Sequence, residues 1–133
     1  MSGLVNYTID LMTMDYSSAS ASVCVVSGGV CNMGASAVQA AKNLQHTYGT
    51  PLSKIELTPM IGVNDSASNI VSLGDVDTIS AYAKANGLAG VHFWSLDRDT
   101  PCPSAQNTAS STCNSMSGST ALQYTNRFLA DLR

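Results

Sequence analysis

Apolar and polar positions along the chain follow two patterns that alternate three times in the same order. Runs of apolar and β-branched residues, the pattern of a buried strand, cover residues 4–14, 54–63 and 88–96. Each run precedes a segment whose apolar residues recur at helical spacing, beginning near residues 33, 73 and 120. Strands that alternate with helices predict a parallel sheet with helices packed on one face.

Glycines and acidic residues mark where these helices start and end. Gly49-Thr50-Pro51 ends the first helical pattern, and Gly87 ends the second. Asp75 and Asp77 lie at the start of the second helix, where negative charge is favourable. We therefore predict helices over residues 33–48, 73–86 and 120–132. Residues 1–133 would form one domain of three strand-helix units, over about 4–48, 54–86 and 88–132.

The composition excludes several classes of protein. The chain has 133 residues, a formal net charge of −3 and six Lys and Arg residues, too few for a nucleic-acid-binding surface. No apolar run reaches the roughly 18–20 residues that a membrane span requires. With 44% hydrophobic residues, the chain is also unlike a disordered sequence. We expect a mildly acidic globular domain that binds neither nucleic acid nor membrane.

Four cysteines lie in two loops rich in Ser, Gly and Asn, and they predict two local disulfides. Cys24 would pair with Cys31, and Cys102 with Cys113. A zinc site would need closer cysteine spacing or nearby histidines, and the two histidines accompany neither pair. We predict no metal and no cofactor. Disulfides indicate an oxidising, extracellular location, although no signal peptide precedes the first predicted strand, so secretion would need a leader absent here.

Polar and aromatic residues collect just beyond the carboxyl ends of the three predicted strands. In parallel α/β folds this edge of the sheet is where ligands bind. The residues are Asp15 and Tyr16, then Asn64 and Asp65, then Trp94, Asp97, Arg98 and Asp99.

Three ordered motifs resemble one enzyme family, the bacterial chitinases of glycoside hydrolase family 18. They are Met12-Thr13-Met14-Asp15-Tyr16, Thr58-Pro59-Met60-Ile61-Gly62-Val63-Asn64-Asp65 and Phe93-Trp94-Ser95-Leu96-Asp97-Arg98-Asp99. They match the sixth, seventh and eighth strands of that family's (β/α)8 barrel. The resemblance implies that this chain is three consecutive βα units of a TIM-type barrel, an incomplete barrel corresponding to its C-terminal part.

The resemblance implies hydrolysis of β-1,4-linked N-acetylglucosamine polymers by the intact barrel, with retention and assistance from the substrate's acetamido group. The family's general acid is a Glu that ends an Asp-x-x-Asp-x-Asp-x-Glu motif, which is absent from this sequence. Glu56 is the single glutamate, and it lies near the start of the second strand, away from the polar edge. We therefore expect no catalytic residue in this chain, whose enzymatic activity stays uncertain.

The resemblance also implies substrate-binding residues. Trp94 would stack against a sugar ring as the floor of the cleft; the alternative is that Trp94 is core between sheet and helices. Asp15 matches a substrate-contacting Asp, or it caps a loop. Met14 stands where many family members have a Tyr, and Tyr16 lies one alternation nearer the mouth of the barrel.

Other residues near this edge have two interpretations. Asn64 and Asp65 would hydrogen-bond substrate at the rim, or they serve in a turn and a helix cap. His92 is expected to be a hydrogen-bonded residue on the inner face, and the segment Asp97-Arg98-Asp99 an ion-pair cluster that holds the last loop.

A second function from a different class is a non-catalytic carbohydrate-binding or self-assembling module with a remodelled fold. A three-stranded parallel sheet leaves both edges unpaired and its inner face without cover, which favours homo-oligomers. In either case the predicted ligand is chitin or a chito-oligosaccharide.

Overall fold

A three-stranded parallel sheet covered by three helices forms the centre of the protein, whose computed structural model describes residues 3–133. The strands are β1 (Ile9–Met12), β2 (Val26–Ser27), β3 (Val30–Cys31), β4 (Ile55–Thr58), β5 (Gly62–Val63), β6 (Ile70–Val71) and β7 (Gly90–Val91). The helices are α1 (Met33–Tyr48), α2 (Leu73–Asn86) and α3 (Gln123–Leu132), with short 3-10 turns at Leu52–Lys54 and Leu96–Arg98.

The central sheet has the order β1-β4-β7, and both pairs of strands are parallel. Ile9 pairs with Ile55, and Glu56 pairs with Gly90. The parallel arrangement is confirmed, but the strands are shorter than predicted. Pro59 has no N–H to donate to the ladder, so the regular part of β4 ends just before it. Two short antiparallel pairs, β2-β3 and β5-β6, lie in the connecting segments.

Helices α1 and α2 have the predicted bounds because residues next to them in the sequence cap their ends. The Asn32 side chain accepts a hydrogen bond from the Ala35 N–H at the start of α1. Ser72 and Asp75 form a capping box at the start of α2. Gly49 and Gly87 follow the two helices in the left-handed conformation, which favours glycine.

Helix α3 begins at Gln123, three residues later than predicted. Its first N–H groups are capped by a residue that is distant in sequence. The Asp99 carboxylate accepts hydrogen bonds from the N–H groups of Tyr124 and Thr125, at 3.1 and 2.7 Å. A cap supplied from so far along the chain leaves no signal in the local sequence.

The helices bury one face of the sheet through two adjoining apolar clusters. In the first, Ile55 and Leu57 of β4 pack against small residues of α1, Ala37 and Ala41, which let helix and sheet approach closely. The second lies between the carboxyl part of the sheet and the ends of α2 and α3, and it consists of Cys31, Met33, Ile61, Val71, Val76, Tyr124 and Phe128.

Both predicted disulfides are confirmed. Cys24 is bonded to Cys31, and Cys102 to Cys113. Within residues 3–133, no three His, Cys, Asp or Glu side chains are arranged to hold a metal ion. None of the helices in the same range is long and apolar enough to cross a membrane.

Gly62 should be one of the least replaceable positions in the fold. Its φ is +70°, and a Cβ added there would overlap the main-chain carbonyl oxygen of Asn114. We expect Gly62→Ala to lower the free energy of unfolding by about 2–4 kcal/mol in urea denaturation. The control is Gly74→Ala in α2, where the nearest atom to an added Cβ is Ser72 Oγ at 3.6 Å. An equal loss of stability in both variants would contradict the close-approach argument.

Candidate functional site

The face of the central sheet opposite the helices carries several exposed side chains, and we call it the open face. Because side chains alternate along a strand, it carries every second residue of each strand. Its members are Asp10 and Met12 of β1, Glu56 and Thr58 of β4, and His92 and Trp94 after β7. Met12 and Trp94 are 57% and 54% exposed, so this face presents apolar surface to solvent.

Trp94 lies at the carboxyl end of the open face, on backbone that is held from one side by the neighbouring strand. Its N–H donates to the Pro59 carbonyl at 2.8 Å, and its own carbonyl accepts from the Ile61 N–H at 2.9 Å. The peptide bond that follows, to Ser95, is cis. A half-exposed ring excludes the alternative that Trp94 is core between sheet and helices.

Two pairs of polar side chains lie on the open face, nearer the amino ends of the strands than Trp94. His92 Nε2 is 3.1 Å from Glu56 Oε2, and the Thr58 hydroxyl lies 2.7–2.8 Å from both carboxylate oxygens of Asp10. His92 is therefore hydrogen-bonded, as predicted. Its partner is Glu56, which the sequence places away from the polar edge.

Strand parity predicts that Glu56 lies on the open face, because Glu56, Thr58 and Met60 are every second residue along one strand. Met60 is the bridge partner of Trp94. Glu56 comes four residues before it, about 13 Å along the strand. Glu56 thus shares a face with Trp94 but is distant from its ring.

Asp15 and Asn64 connect the loop after β1 with the loop after β5, so the structure brings these two predicted residues together. The Asp15 N–H donates to Asn64 Oδ1 at 3.3 Å, and Asp15 Oδ1 accepts from the Ser66 N–H at 2.9 Å. Asn64 is fully buried and donates to the carbonyls of Met60 and Gly62. The Asn64 side chain therefore stabilises the turn and does not reach the rim.

The remaining candidates differ in their accessibility. Asp65 is exposed and Met14 is half-buried. Tyr16 packs against the apolar cluster that contains Cys31 and Met33, and its buried hydroxyl has no hydrogen-bond partner among the described residues. Burial raises the pKa of Tyr16 to about 12. In this conformation Tyr16 belongs to the interior.

Arg98 and Asp99 hold the last loop in place, but not as the predicted ion-pair cluster. The buried Arg98 guanidinium donates to the carbonyls of Ile61, Val63 and Ser110 at 2.6–2.8 Å. Among residues 3–133 it forms no ion pair, because Asp99 instead caps α3. Burial lowers the pKa of Arg98, and the charges of Asp65 and Asp15 oppose that shift.

Comparison with solved structures shows that the chain has a chitinase-like fold. One neighbour, a set of catalytic-site mutants of active domain 2 of a chitinase from the archaeon Pyrococcus furiosus, has a TM-score of 0.72 and 25% identity. The catalytic domain of the hyperthermophilic chitinase from the same organism has a TM-score of 0.71 and 25% identity. Mutants of active domain 2 complexed with chito-oligosaccharides have a TM-score of 0.70 and 23% identity.

Each match covers 94% of this chain and 40% of the solved chain, so the protein spans about two fifths of the length of its structural neighbours. No family model matches the sequence, and the search of curated proteins found no match. The likeness is to chitinase catalytic domains, and it does not single out the bacterial branch that the motifs resemble.

A buried, unpartnered hydroxyl predicts that Tyr16→Phe leaves the fold intact and raises its stability. Between pH 10 and about 12 the unfolded chain loses a proton that folded Tyr16 keeps, so stability falls as pH rises through that window. After allowance for partial exposure, we expect roughly 1 kcal/mol of alkaline loss, the part that develops by pH 11, to disappear in Tyr16→Phe. Urea denaturation at pH 7 to 11 measures it.

The control for this experiment is Tyr48→Phe, at a site that is 70% exposed, which should leave the alkaline profile unchanged. An unchanged profile in Tyr16→Phe, together with weaker sugar binding, would instead show that the hydroxyl reaches a ligand.

Proposed function

We propose that this chain is the C-terminal part of a chitinase-like glycoside hydrolase and supplies the sugar-stacking floor of its cleft. The observation that carries the proposal is the half-exposed Trp94 ring on the open face, at the carboxyl end of a parallel sheet. Ligands of parallel α/β folds bind at that end. The similarity to chitinase catalytic domains supports the choice of ligand, a chito-oligosaccharide or chitin.

The indole of Trp94 offers a flat apolar surface of the size of a pyranose ring. The C–H groups on one face of an N-acetylglucosamine unit can pack against it, while the sugar hydroxyls point sideways. Met12 and Met14 extend the apolar floor towards β1. Asp15 and Asp65 provide carboxylates at the rim that can accept hydrogen bonds from sugar hydroxyls. Tyr16 and Asn64 are turned inward, so the proposed contacts do not include them.

Hydrolysis needs a general acid at the leaving oxygen, and the carboxylates near the Trp94 floor are either hydrogen-bonded within the protein or, like Asp65, exposed to solvent and outside any desolvated pocket. Asp15 accepts from Ser66, and Asp99 accepts from the first N–H groups of α3. Glu56 pairs with His92 about 13 Å along the strand from the level of Trp94. The acid would therefore come from outside residues 1–133, either from another part of the same polypeptide or from a partner polypeptide.

These engaged carboxylates also favour a second candidate function, a non-catalytic carbohydrate-binding or self-assembling module. Both functions share the Trp94 contact. They differ in whether activity returns when the remainder of a barrel is supplied. Two disulfides support an extracellular location for either one.

Trp94→Ala should abolish binding of chitotetraose, because the ring supplies most of the contact. For the unaltered chain we expect a dissociation constant on the order of 1 mM, about −4 kcal/mol, by isothermal titration calorimetry. Trp94→Phe should keep part of the affinity. The matched control is Val26→Ala, an exposed apolar residue of the β2-β3 hairpin that lies off the open face. Equal affinity in Trp94→Ala would remove Trp94 from the site.

The chain by itself should not hydrolyse a chromogenic chito-oligosaccharide above the uncatalysed rate, since the carboxylates near the Trp94 floor are either hydrogen-bonded within the protein or exposed to solvent. Release of the chromophore over a day at pH 5–7 is the measurement, with a complete chitinase domain as positive control. Hydrolysis by the purified chain that persists in Trp94→Ala would contradict both the partial-barrel interpretation and the site.

A further inference from the structure

Two asparagines of the sequence stand in the pattern Asn-x-Ser/Thr, in which the side-chain amide can accept an N-linked oligosaccharide. They are Asn6, in Asn6-Tyr7-Thr8, and Asn64, in Asn64-Asp65-Ser66. The pattern by itself is a weak signal, because three residues of this kind often occur together by chance. The structure separates the two positions, since one lies at the surface and the other in the interior.

Asn6 lies in a bend three residues before β1 begins, and it is exposed. Thr8, which completes the same pattern, is exposed as well. Tyr7 between them is half-buried, and Lys54 Nζ lies 4.3 Å from the centroid of its ring. The same Nζ donates to the Val5 carbonyl at 2.8 Å. Lys54 therefore contacts the chain on both sides of Asn6, whereas Asn6 and Thr8 themselves stay at the surface.

Asn64 has the opposite environment. It is fully buried, and its Nδ2 donates to the carbonyls of Met60 and Gly62 at 2.8 and 3.1 Å. An oligosaccharide on Nδ2 would replace one of these two amide hydrogens and would need space in a packed interior. A chain that carries an oligosaccharide on Asn64 therefore cannot adopt this fold.

We infer that Asn6 is an N-glycosylation site and that folding closes Asn64 to the same modification. The two disulfides agree with this, because the lumen in which disulfides form in a secretory pathway is also where N-linked oligosaccharides are transferred. The inference goes beyond the proposed function and does not depend on it.

The donor class is a lipid-linked oligosaccharide whose first N-acetylglucosamine is joined to the diphosphate of the lipid carrier. In the transfer, Asn6 Nδ2 forms a bond to the anomeric carbon of that sugar, and the bond between this carbon and the diphosphate oxygen breaks. The lipid diphosphate leaves with the electron pair, and Nδ2 loses one proton to a base of the transferase. No atom is oxidised or reduced.

The modified position lies at the end of the sheet opposite the Trp94 floor. Ile9, close to Asn6, pairs with Ile55. Trp94 bridges Met60, which is five residues farther along the chain, or roughly 17 Å of extended backbone. An oligosaccharide at Asn6 is therefore attached away from the proposed sugar contact and is compatible with it.

The test expresses the full chain behind a cleavable secretion leader in a eukaryotic host and maps the secreted protein by mass spectrometry. Enzymatic removal of N-linked oligosaccharides converts each modified asparagine to aspartate, which marks the occupied positions in the peptide map. We expect Asn6 to be modified and Asn64 to be unmodified. Thr8→Ala should lower the occupancy of Asn6 roughly tenfold or more, and Thr8→Ser should keep much of it.

The matched control is Ser66→Ala, which removes the hydroxyl of the second pattern. It keeps the Ser66 main-chain N–H that donates to Asp15, so the turn should stay intact. Ser66→Ala should therefore leave the modification at Asn6 unchanged. Circular dichroism verifies that the variants are folded, and Asn6→Gln is a second variant that should abolish the modification.

Either of two results would overturn the inference. One is a chain whose Asn6 carries no oligosaccharide after passage through the secretory pathway. The other is a folded, secreted chain that carries an oligosaccharide on Asn64. Chain that is retained in the cell is mapped in the same way, and an unmodified Asn6 there would count equally against the inference.

Discussion

The buried guanidinium of Arg98 connects the segment after β4 to the long loop before α3. It donates to the carbonyls of Ile61 and Val63 beyond β4 and to that of Ser110 in the loop closed by the second disulfide. A buried charge is costly unless its hydrogen bonds are made, so these three carbonyls must stay in place around it. The next residue, Asp99, caps α3 and so adds the last helix to the same unit.

The position of the candidate sugar floor depends on this unit. Trp94 lies four residues before Arg98, and its main chain is hydrogen-bonded to Pro59 and Ile61, which lead into the carbonyls that Arg98 holds. The Trp94 ring therefore projects from backbone that is hydrogen-bonded through both its N–H and its carbonyl. The open face beside it exposes Met12 as well as Trp94 itself.

Local signals account for the parts of the fold that were predicted closely. α1 and α2 are capped by Asn32, by Ser72 with Asp75, and by the glycines that follow them, all within a few residues of the helix ends. The start of α3 was missed because its cap, Asp99, is about 25 residues away. The strands were overestimated because apolar runs continue past the residues that pair, for example through Leu4, Val5 and Leu96, which are exposed.

Sequence alone determined the order of the three central strands and the three helices, the two disulfides and, through strand parity, that His92 and Trp94 share a face. These follow from spacing and from contacts between near neighbours in the chain. Tertiary structure decided which candidates are accessible: Trp94 is exposed, whereas Asn64 and Tyr16 are turned inward. It also paired Glu56 with His92. Such outcomes depend on which distant backbone or apolar surface meets a side chain, and local periodicity carries no information about that.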